Sequence, residues 1–267
     1  MKKLFAAIAL ISALMVFVTG TAFAQTKPTI VLLHGAFQTE QGWGFVKGRL
    51  EAHGYSVVAI RLPGRGDDAT PIDQITMDLY RTKVLEAIDA LPGPVVLVGH
   101  SFGGMVISTV AEAEPEKIKS LVYLSAYLPK SGQSLDTLAH TDPDSILSKP
   151  GNFIVSDDHK YASIKDEAKA DTFANDADEA GKKLIVASII KEPLAPLGTP
   201  VTLTDEKFGK VKKFYISTTE DQAVTPALQA RMLEATPVYK VIKIKAGHAS
   251  FVTDPDDVTA AIIEAAQ

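Results

Sequence analysis

Residues 94–105 read PVVLVGHSFGGM, and this stretch decides the fold of the chain. Pro94–Val98 is an unbroken apolar run, as expected of a strand that is buried on both faces of a parallel sheet. Phe102 opens a segment with helical periodicity. Between the two lies Gly99-His100-Ser101-Phe102-Gly103, which fits the pattern G-x-S-x-G. By itself the pattern is weak, but its strand-turn-helix context predicts a tight turn that presents the Ser101 hydroxyl.

Similar apolar runs recur on either side of this stretch and alternate with amphipathic segments. The predicted strands are 29–33, 55–60, 95–98, 120–124, 213–217 and 238–244, and the predicted helices are 43–52, 75–90, 105–113, 226–234 and 255–266. Runs without polar alternation are typical of parallel strands joined by helical crossovers. The sequence therefore predicts an α/β fold with a mostly parallel six-stranded sheet flanked by helices.

One interval interrupts the alternation. Residues 129–210 are polar, contain several prolines and show helical patterns at 164–170 and 177–190. Some eighty residues are too many for a simple crossover between consecutive strands, so we expect a helical cap insertion over one edge of the sheet.

The N-terminus has the features of an export signal. Lys2 and Lys3 precede an apolar run, and Ala22-Phe23-Ala24 supplies small residues for cleavage. We expect residues 1–24 to be removed, which leaves one domain at 25–267 in the periplasm or outside the cell, without stable membrane association.

The composition limits the possible partners and chemistries. Without Lys2 and Lys3, 25 basic residues remain against 32 acidic ones, a formal charge of −7 that disfavours nucleic acid as a partner. The chain has no cysteine, which excludes a thiolate nucleophile, a disulfide framework and a cysteine-based metal site. No H-E-x-x-H pattern occurs either, so we predict no catalytic metal. A small neutral molecule is the expected partner.

A serine hydroxyl becomes a nucleophile only with a base within hydrogen-bond reach. Enzymes that carry G-x-S-x-G in a strand-turn-helix context follow the chain order serine, acid, histidine. Five of the six histidines precede or touch the serine turn or lie in the predicted insertion: His34, His53, His100, His140 and His159. Only His248 satisfies the order, and it follows the strand predicted at 238–244.

The loop after residues 213–217 offers two acids to orient this histidine, Glu220 and Asp221. Aspartate is a turn-forming residue suited to a rigid orienting role, which favours Asp221, while Glu220 stays open as the alternative.

The developing oxyanion of such a reaction needs two backbone N–H donors. One should come from Phe102, directly after the serine, and the other from the loop Leu33-His34-Gly35-Ala36-Phe37, with Ala36 as the expected donor.

Taken together, His34-Gly35-Ala36-Phe37 with Trp43, the serine turn, Thr219-Glu220-Asp221 and Ala246-Gly247-His248 resemble the methylesterase and hydroxynitrile lyase branch of the α/β-hydrolases. The resemblance covers the chain from about residue 25 onward. It implies a cap over a small apolar pocket, no cofactor, Asp221 as the acid of a catalytic triad, and Ala36 and Phe102 in the oxyanion hole. We expect selectivity to depend on residues of the insertion, namely Phe153, Tyr161, Phe173 and Leu194.

Two positions depart from the pattern that the lyases of this branch share. They carry a lysine after the catalytic histidine and a threonine after the first-loop histidine, where this chain has Ala249 and Gly35. The resemblance therefore implies a serine carboxylesterase acting on small esters. The alternatives are a hydroxynitrile lyase, or a weakly catalytic small-ligand-binding protein of the same fold.

Overall fold

The computed structural model describes residues 27–267, so the export signal predicted at 1–24 lies outside the described residues. Within these described residues, nine strands fall into two sheets: β1 (Ile30–Leu33), β2 (Val57–Ile60), β3 (Val95–His100), β4 (Ile118–Leu124), β5 (Phe153–Val155), β6 (Tyr161–Ile164), β7 (Glu192–Pro193), β8 (Lys213–Thr218) and β9 (Lys240–Ile244). The larger sheet has six parallel strands in the order β2-β1-β3-β4-β8-β9. The predicted α/β sheet is confirmed.

Burial explains why the strands could be found in the sequence. All residues of β1, β3 and β8 are buried, and so are all but one of β4, whereas the edge strands β2 and β9 are partly exposed. A strand covered on both faces carries mostly apolar residues on both, which produces the nearly continuous runs in the sequence.

Ten helices accompany the strands in this part of the chain: α1 (Gly44–Ala52), α2 (Met77–Asp89), α3 (Gly103–Ala113), α4 (Leu135–Ala139), α5 (Asp166–Phe173), α6 (Glu179–Ser188), α7 (Ala195–Gly198), α8 (Pro226–Ala235), α9 (Ser250–Thr253) and α10 (Pro255–Ala266). Thr76 and Thr225 begin α2 and α8 by accepting a hydrogen bond from the N–H three residues ahead. In α3, residues 103–111 are all buried, so this helix is covered around its whole circumference. None of the helices described between residues 27 and 267 is long and apolar enough to span a membrane.

The order in which the chain adds strands to the sheet changes direction at β1. From β1 it runs to β2 on one side and then returns to β3 on the other. The loops that leave the carboxyl ends of β1 and β3 therefore diverge, and open α/β sheets bind ligands in the crevice between such loops. These two loops contain His34–Phe37 and Ser101.

The insertion predicted at 129–210 lies between β4 and β8, and it holds α4 to α7 together with a three-stranded antiparallel sheet, β5-β6-β7. The helical patterns at 164–170 and 177–190 correspond to α5 and α6. The sequence did not predict the small sheet, because strands of two to four residues are too short to display an alternating pattern.

Candidate active site

Ser101 lies in a strained turn between β3 and α3. Its φ of 52° is in the left-handed region that side chains other than glycine rarely adopt. The turn is held by hydrogen bonds: Ser101 N donates to Leu124 O at 3.2 Å, and Ser101 O accepts from Gly104 N at 3.0 Å and Tyr127 N at 3.1 Å. A Cβ atom on Gly103 would lie 2.9 Å from His34 O, which explains the glycine two positions after Ser101.

His248 and Asp221 form a buried pair after the last two strands of the large sheet. His248 Nδ1 lies 2.9 Å from Asp221 Oδ2 and 3.1 Å from Oδ1, and both residues are only 1% exposed. Asp221 Oδ1 also accepts from the backbone N–H groups of Ala223, at 2.8 Å, and Val224, at 2.9 Å. Thr218 Oγ1 donates to Oδ2 at 3.1 Å. The carboxylate therefore has a fixed orientation.

The alternative acid is directed elsewhere. The side chain of Glu220 is partly exposed, and its Oε1 lies 3.7 Å from Lys245 Nζ at the surface. Glu220 and Asp221 are adjacent in the chain, yet only Asp221 contacts His248.

Ser101 is 8% exposed and lies in the turn next to His100, whose ring is 4.5 Å from the His248 ring between centroids. Among the described residues, no hydrogen bond joins Ser101 Oγ to the His248 ring. Such hydrogen bonds are often long in a free enzyme and shorten when substrate binds. The turn and the His248 loop are connected by His100, whose Nε2 donates to the His248 carbonyl at 3.0 Å. No pattern in the sequence indicates this contact, which joins residues 148 positions apart.

One expected oxyanion donor, Phe102, belongs to the serine turn, and the other, Ala36, belongs to the loop after β1. Within residues 27–267, the backbone N–H groups of Ala36 and Phe102 donate to no other protein group. The loop that carries Ala36 approaches the serine closely, since a Cβ atom on Gly35 would lie 2.8 Å from Ser101 Cβ. These two N–H groups are thus free to donate to a bound molecule.

Aromatic side chains cover this site. The Phe37 ring lies 6.2 Å from that of Phe153 and 6.4 Å from that of Phe173, and the Phe173 ring lies 5.6 Å from the His248 imidazole. Of the four predicted selectivity residues, Phe173 therefore lies beside His248, and Phe153 contacts Phe37. The other two belong to the small sheet of the insertion: Tyr161 begins β6 and Leu194 follows β7.

The insertion also holds the loops of Asp221 and His248 through two adjacent residues that the sequence did not single out. Asn175 Nδ2 donates to Glu220 O at 2.9 Å. Asp176 Oδ2 accepts from Gly247 N at 2.7 Å and from Thr253 Oγ1 at 2.8 Å. Within the described chain, no group of three His, Asp or Glu residues is arranged to hold a metal ion.

His34 is a buried neutral histidine beneath the site. Its Nε2 accepts from Leu62 N at 3.1 Å, so Nδ1 carries the proton and donates to Gly35 O at 2.8 Å. Burial, reinforced by the Arg65 charge, lowers the pKa of His34 from 6.5 to about 3.

This shift predicts a loss of stability in mild acid. Between pH 6.5 and about 3, the unfolded chain binds a proton at His34 that the folded chain does not. The stability contributed by neutral His34 is therefore present at pH 7 and declines below pH 6.5, by about 2 kcal/mol at pH 5. We expect the free energy of unfolding of H34Q, measured with urea, to fall less between pH 7 and pH 5 than that of the unsubstituted protein, by about 2 kcal/mol. Equal losses in the two proteins would contradict the prediction.

Comparisons with known proteins agree with this architecture. A family model described as "Alpha/beta hydrolase family" matches residues 30–262. Salicylic acid-binding protein 2 from Nicotiana tabacum is 29% identical, with 88% of this chain and 96% of that protein covered. Methylesterase 7 from Arabidopsis thaliana is 29% identical, with 88% and 95% covered. The crystal structure of a pyrethroid hydrolase from Sphingobium faniae JZ-2 shares the fold, with a TM-score of 0.79 at 24% identity over 90% of this chain and 97% of the other.

Longer chloroplastic relatives from Arabidopsis thaliana are also similar, and the chain spans between 57% and 63% of the length of three of them. The methylesterase-like resemblance of the sequence motifs is confirmed by these relatives. Because the family model covers nearly all of the described residues, the chain belongs to the alpha/beta hydrolase family, with relatives in its methylesterase-like branch.

Proposed function

We propose that this protein is a serine carboxylesterase that hydrolyses small neutral esters. The observation that carries the proposal is the buried His248–Asp221 pair near a strained serine, together with two backbone N–H groups that donate to no other group among residues 27–267. This combination supplies a nucleophile, a base, a group that orients the base, and donors for an oxyanion.

In the proposed reaction, Ser101 Oγ attacks the ester carbonyl carbon while His248 Nε2 accepts the hydroxyl proton. Asp221 keeps the other imidazole proton on Nδ1 and stabilises the imidazolium. The N–H groups of Ala36 and Phe102 donate to the oxyanion of the tetrahedral intermediate. His248 then returns its proton to the leaving alcohol, and water releases the acid from Ser101 by the same steps.

The surroundings favour an uncharged, apolar substrate. The rings of Phe37, Phe153 and Phe173 form a cluster that reaches His248, and aromatic rings suit an apolar acyl or alcohol group. Several relatives carry methylesterase names, which is consistent with a small alcohol as leaving group.

The choice of hydrolysis over cyanohydrin cleavage has a physical basis at Gly35. A threonine at this position would place Cβ 2.8 Å from Ser101 Cβ and 2.9 Å from His100 Nδ1, so the loop has no room for the lyase residue. Ala249, which is fully buried, offers no charge to hold cyanide.

We therefore expect the purified protein to hydrolyse p-nitrophenyl acetate and to cleave mandelonitrile negligibly. A fluorophosphonate probe should label the protein at Ser101, as located by mass spectrometry of the tryptic peptides. Faster mandelonitrile cleavage than ester hydrolysis would overturn the choice of reaction. An active enzyme in which the probe does not label Ser101 would overturn the choice of nucleophile.

Export of the protein is a further part of the proposal, supported by the charged, apolar and small-residue segments of residues 1–24. When the full chain is expressed in a Gram-negative host, the protein should be recovered from the periplasm or the medium with Gln25 as its first residue. Recovery of a chain that still begins at Met1 from the cytosol would contradict export.

A further inference from the structure

Phe37 occupies an unusual backbone conformation directly beside the proposed oxyanion donor Ala36. Its φ is 63°, in the left-handed region, where a bulky aromatic residue is strained. Such a conformation persists only when surrounding contacts hold it in place. The contacts that hold Phe37 therefore also affect the orientation of the neighbouring Ala36 N–H.

Both backbone polar groups of Phe37 are held by the cap insertion. Phe37 N donates to Glu192 Oε2 at 2.8 Å, and Phe37 O accepts from Ile190 N at 2.9 Å. The first bond fixes the peptide plane between Ala36 and Phe37. Since the Ala36 Cα joins that plane to the plane that carries the Ala36 N–H, fixing one limits the orientation of the other.

A buried network of one ion pair and several hydrogen bonds holds the Glu192 side chain in place. Its Oε1 pairs with Arg65 Nη2, and both side chains are fully buried. Arg65 Nη1 donates to Tyr80 Oη at 2.8 Å and to Pro63 O at 3.3 Å. Burial raises the pKa of the Glu192 carboxyl, and the Arg65 charge opposes that effect. One carboxylate oxygen thus faces the guanidinium, and the other faces the oxyanion loop.

The Arg65–Glu192 pair does more than attach the insertion to the large sheet. A buried ion pair can often be replaced by apolar residues of similar volume without loss of stability, so stability alone does not require it. The second oxygen of Glu192 accepts from a backbone N–H one residue from the proposed donor, a contact that apolar residues could not make.

We propose that Glu192 is a positioning residue for the oxyanion hole, which holds the Ala36–Phe37 peptide so that the Ala36 N–H points at the substrate carbonyl. The inference rests on the proposed esterase function. It makes the cap insertion part of the catalytic apparatus, because a residue of the insertion sets the geometry of a loop of the large sheet. A donor displaced by about 1 Å stabilises the transition state less while leaving substrate binding nearly unchanged.

Two double variants form a matched pair for the test. In R65M/E192Q the buried charges are gone but the glutamine amide oxygen can still accept from Phe37 N–H. In R65M/E192M the charges are also gone and no acceptor remains. We expect R65M/E192M to lose about tenfold to a hundredfold in kcat for p-nitrophenyl acetate with KM within about threefold. R65M/E192Q should stay within about threefold of the unsubstituted protein in both constants.

A transition-state analogue gives a second measurement that a purely structural role would not change. A trifluoromethyl ketone forms a tetrahedral oxyanion on the serine, so its inhibition constant should weaken in R65M/E192M by the same factor as kcat/KM. Active concentrations are set by the fraction that a fluorophosphonate probe labels at completion. D73N serves as a control, because it removes another contact between insertion and body, the 3.0 Å ion pair with Lys160, without touching the oxyanion loop.

Equal kcat in the two double variants would overturn the inference. Should they fail to fold, I190P provides an independent arm: it removes the N–H that donates to Phe37 O, and Ile189 already has the extended ψ of 118° that a following proline requires. We expect kcat to fall about threefold to tenfold with KM unchanged, and an unchanged kcat would again overturn the inference. An unsubstituted protein that neither hydrolyses the ester nor takes the label contradicts the proposed function instead.

Discussion

Replacing Ser101 with alanine should lower kcat for p-nitrophenyl acetate by at least about 10⁴-fold, because no other group could attack the carbonyl carbon from the same position. The residual rate would come from the two backbone donors and from substrate binding. KM should change little, since the hydroxyl contributes to the transition state more than to binding. Initial rates at several ester concentrations measure both constants.

The fold of S101A provides the control. Alanine keeps the Cβ atom and has nearly the same backbone preferences as serine, so the strained φ of 52° should be retained at no extra cost. We expect an unchanged far-UV circular dichroism spectrum and a Tm within about 2 °C of the unsubstituted protein. A folded S101A that keeps more than about one hundredth of the activity would refute Ser101 as the nucleophile.

The second large effect is expected at Asp221, where D221N should reduce kcat by about 10⁴-fold. The amide oxygen would take the place of Oδ1 and accept from Ala223 N and Val224 N, which donate to Asp221 in the native site. In this orientation of the amide, its NH₂ group faces His248 Nδ1. The imidazole proton must then move to Nε2, where it prevents His248 from accepting the Ser101 proton.

E220Q is the matched control for this variant, since it makes the same chemical change at the neighbouring acid. Glu220 faces Lys245 at the surface and makes no side-chain contact with His248 in the part of the chain that the structure describes. We expect kcat of E220Q to stay within about twofold of the unsubstituted protein, because surface ion pairs contribute little. Loss of activity in E220Q with retention in D221N would reverse the assignment of the acid.

The fold could be predicted from the sequence wherever burial is complete. Pro94–Val98 reads as a strand because both faces of β3 are covered, and the other central strands follow the same rule. The small sheet in the insertion could not be found this way. Glu192 and Pro193 form a two-residue strand, and no periodicity exists over two residues. Its pairing with β6 joins distant positions of the insertion, Tyr161 with Pro193 and Ala162 with Glu192.

The candidate site likewise contains residues that the sequence could indicate and residues that it could not. Ser101 and His248 could be chosen from a local motif and from chain order, because the fold imposes the sequence in which the strand-end loops appear. Glu192 could not be chosen, since its contact with Phe37 joins residues 155 positions apart. Asn175 and Asp176 contact the loops of Glu220 and Gly247 over separations of 45 and 71 residues, again without any local pattern.

The sequence by itself indicated the α/β architecture, the serine turn at residues 99–103 and His248 as the candidate histidine, because each depends on local periodicity, turn chemistry or chain order. The sequence favoured Asp221 over Glu220, which share one loop and one chemical class, but only the tertiary structure shows which of them contacts His248. The reason is that adjacent side chains in a turn point in different directions, and only Asp221 meets the Nδ1 of His248 and the backbone donors of Ala223 and Val224. It also decided that the oxyanion loop is held by a carboxylate from the insertion, because that contact exists only once distant segments pack together.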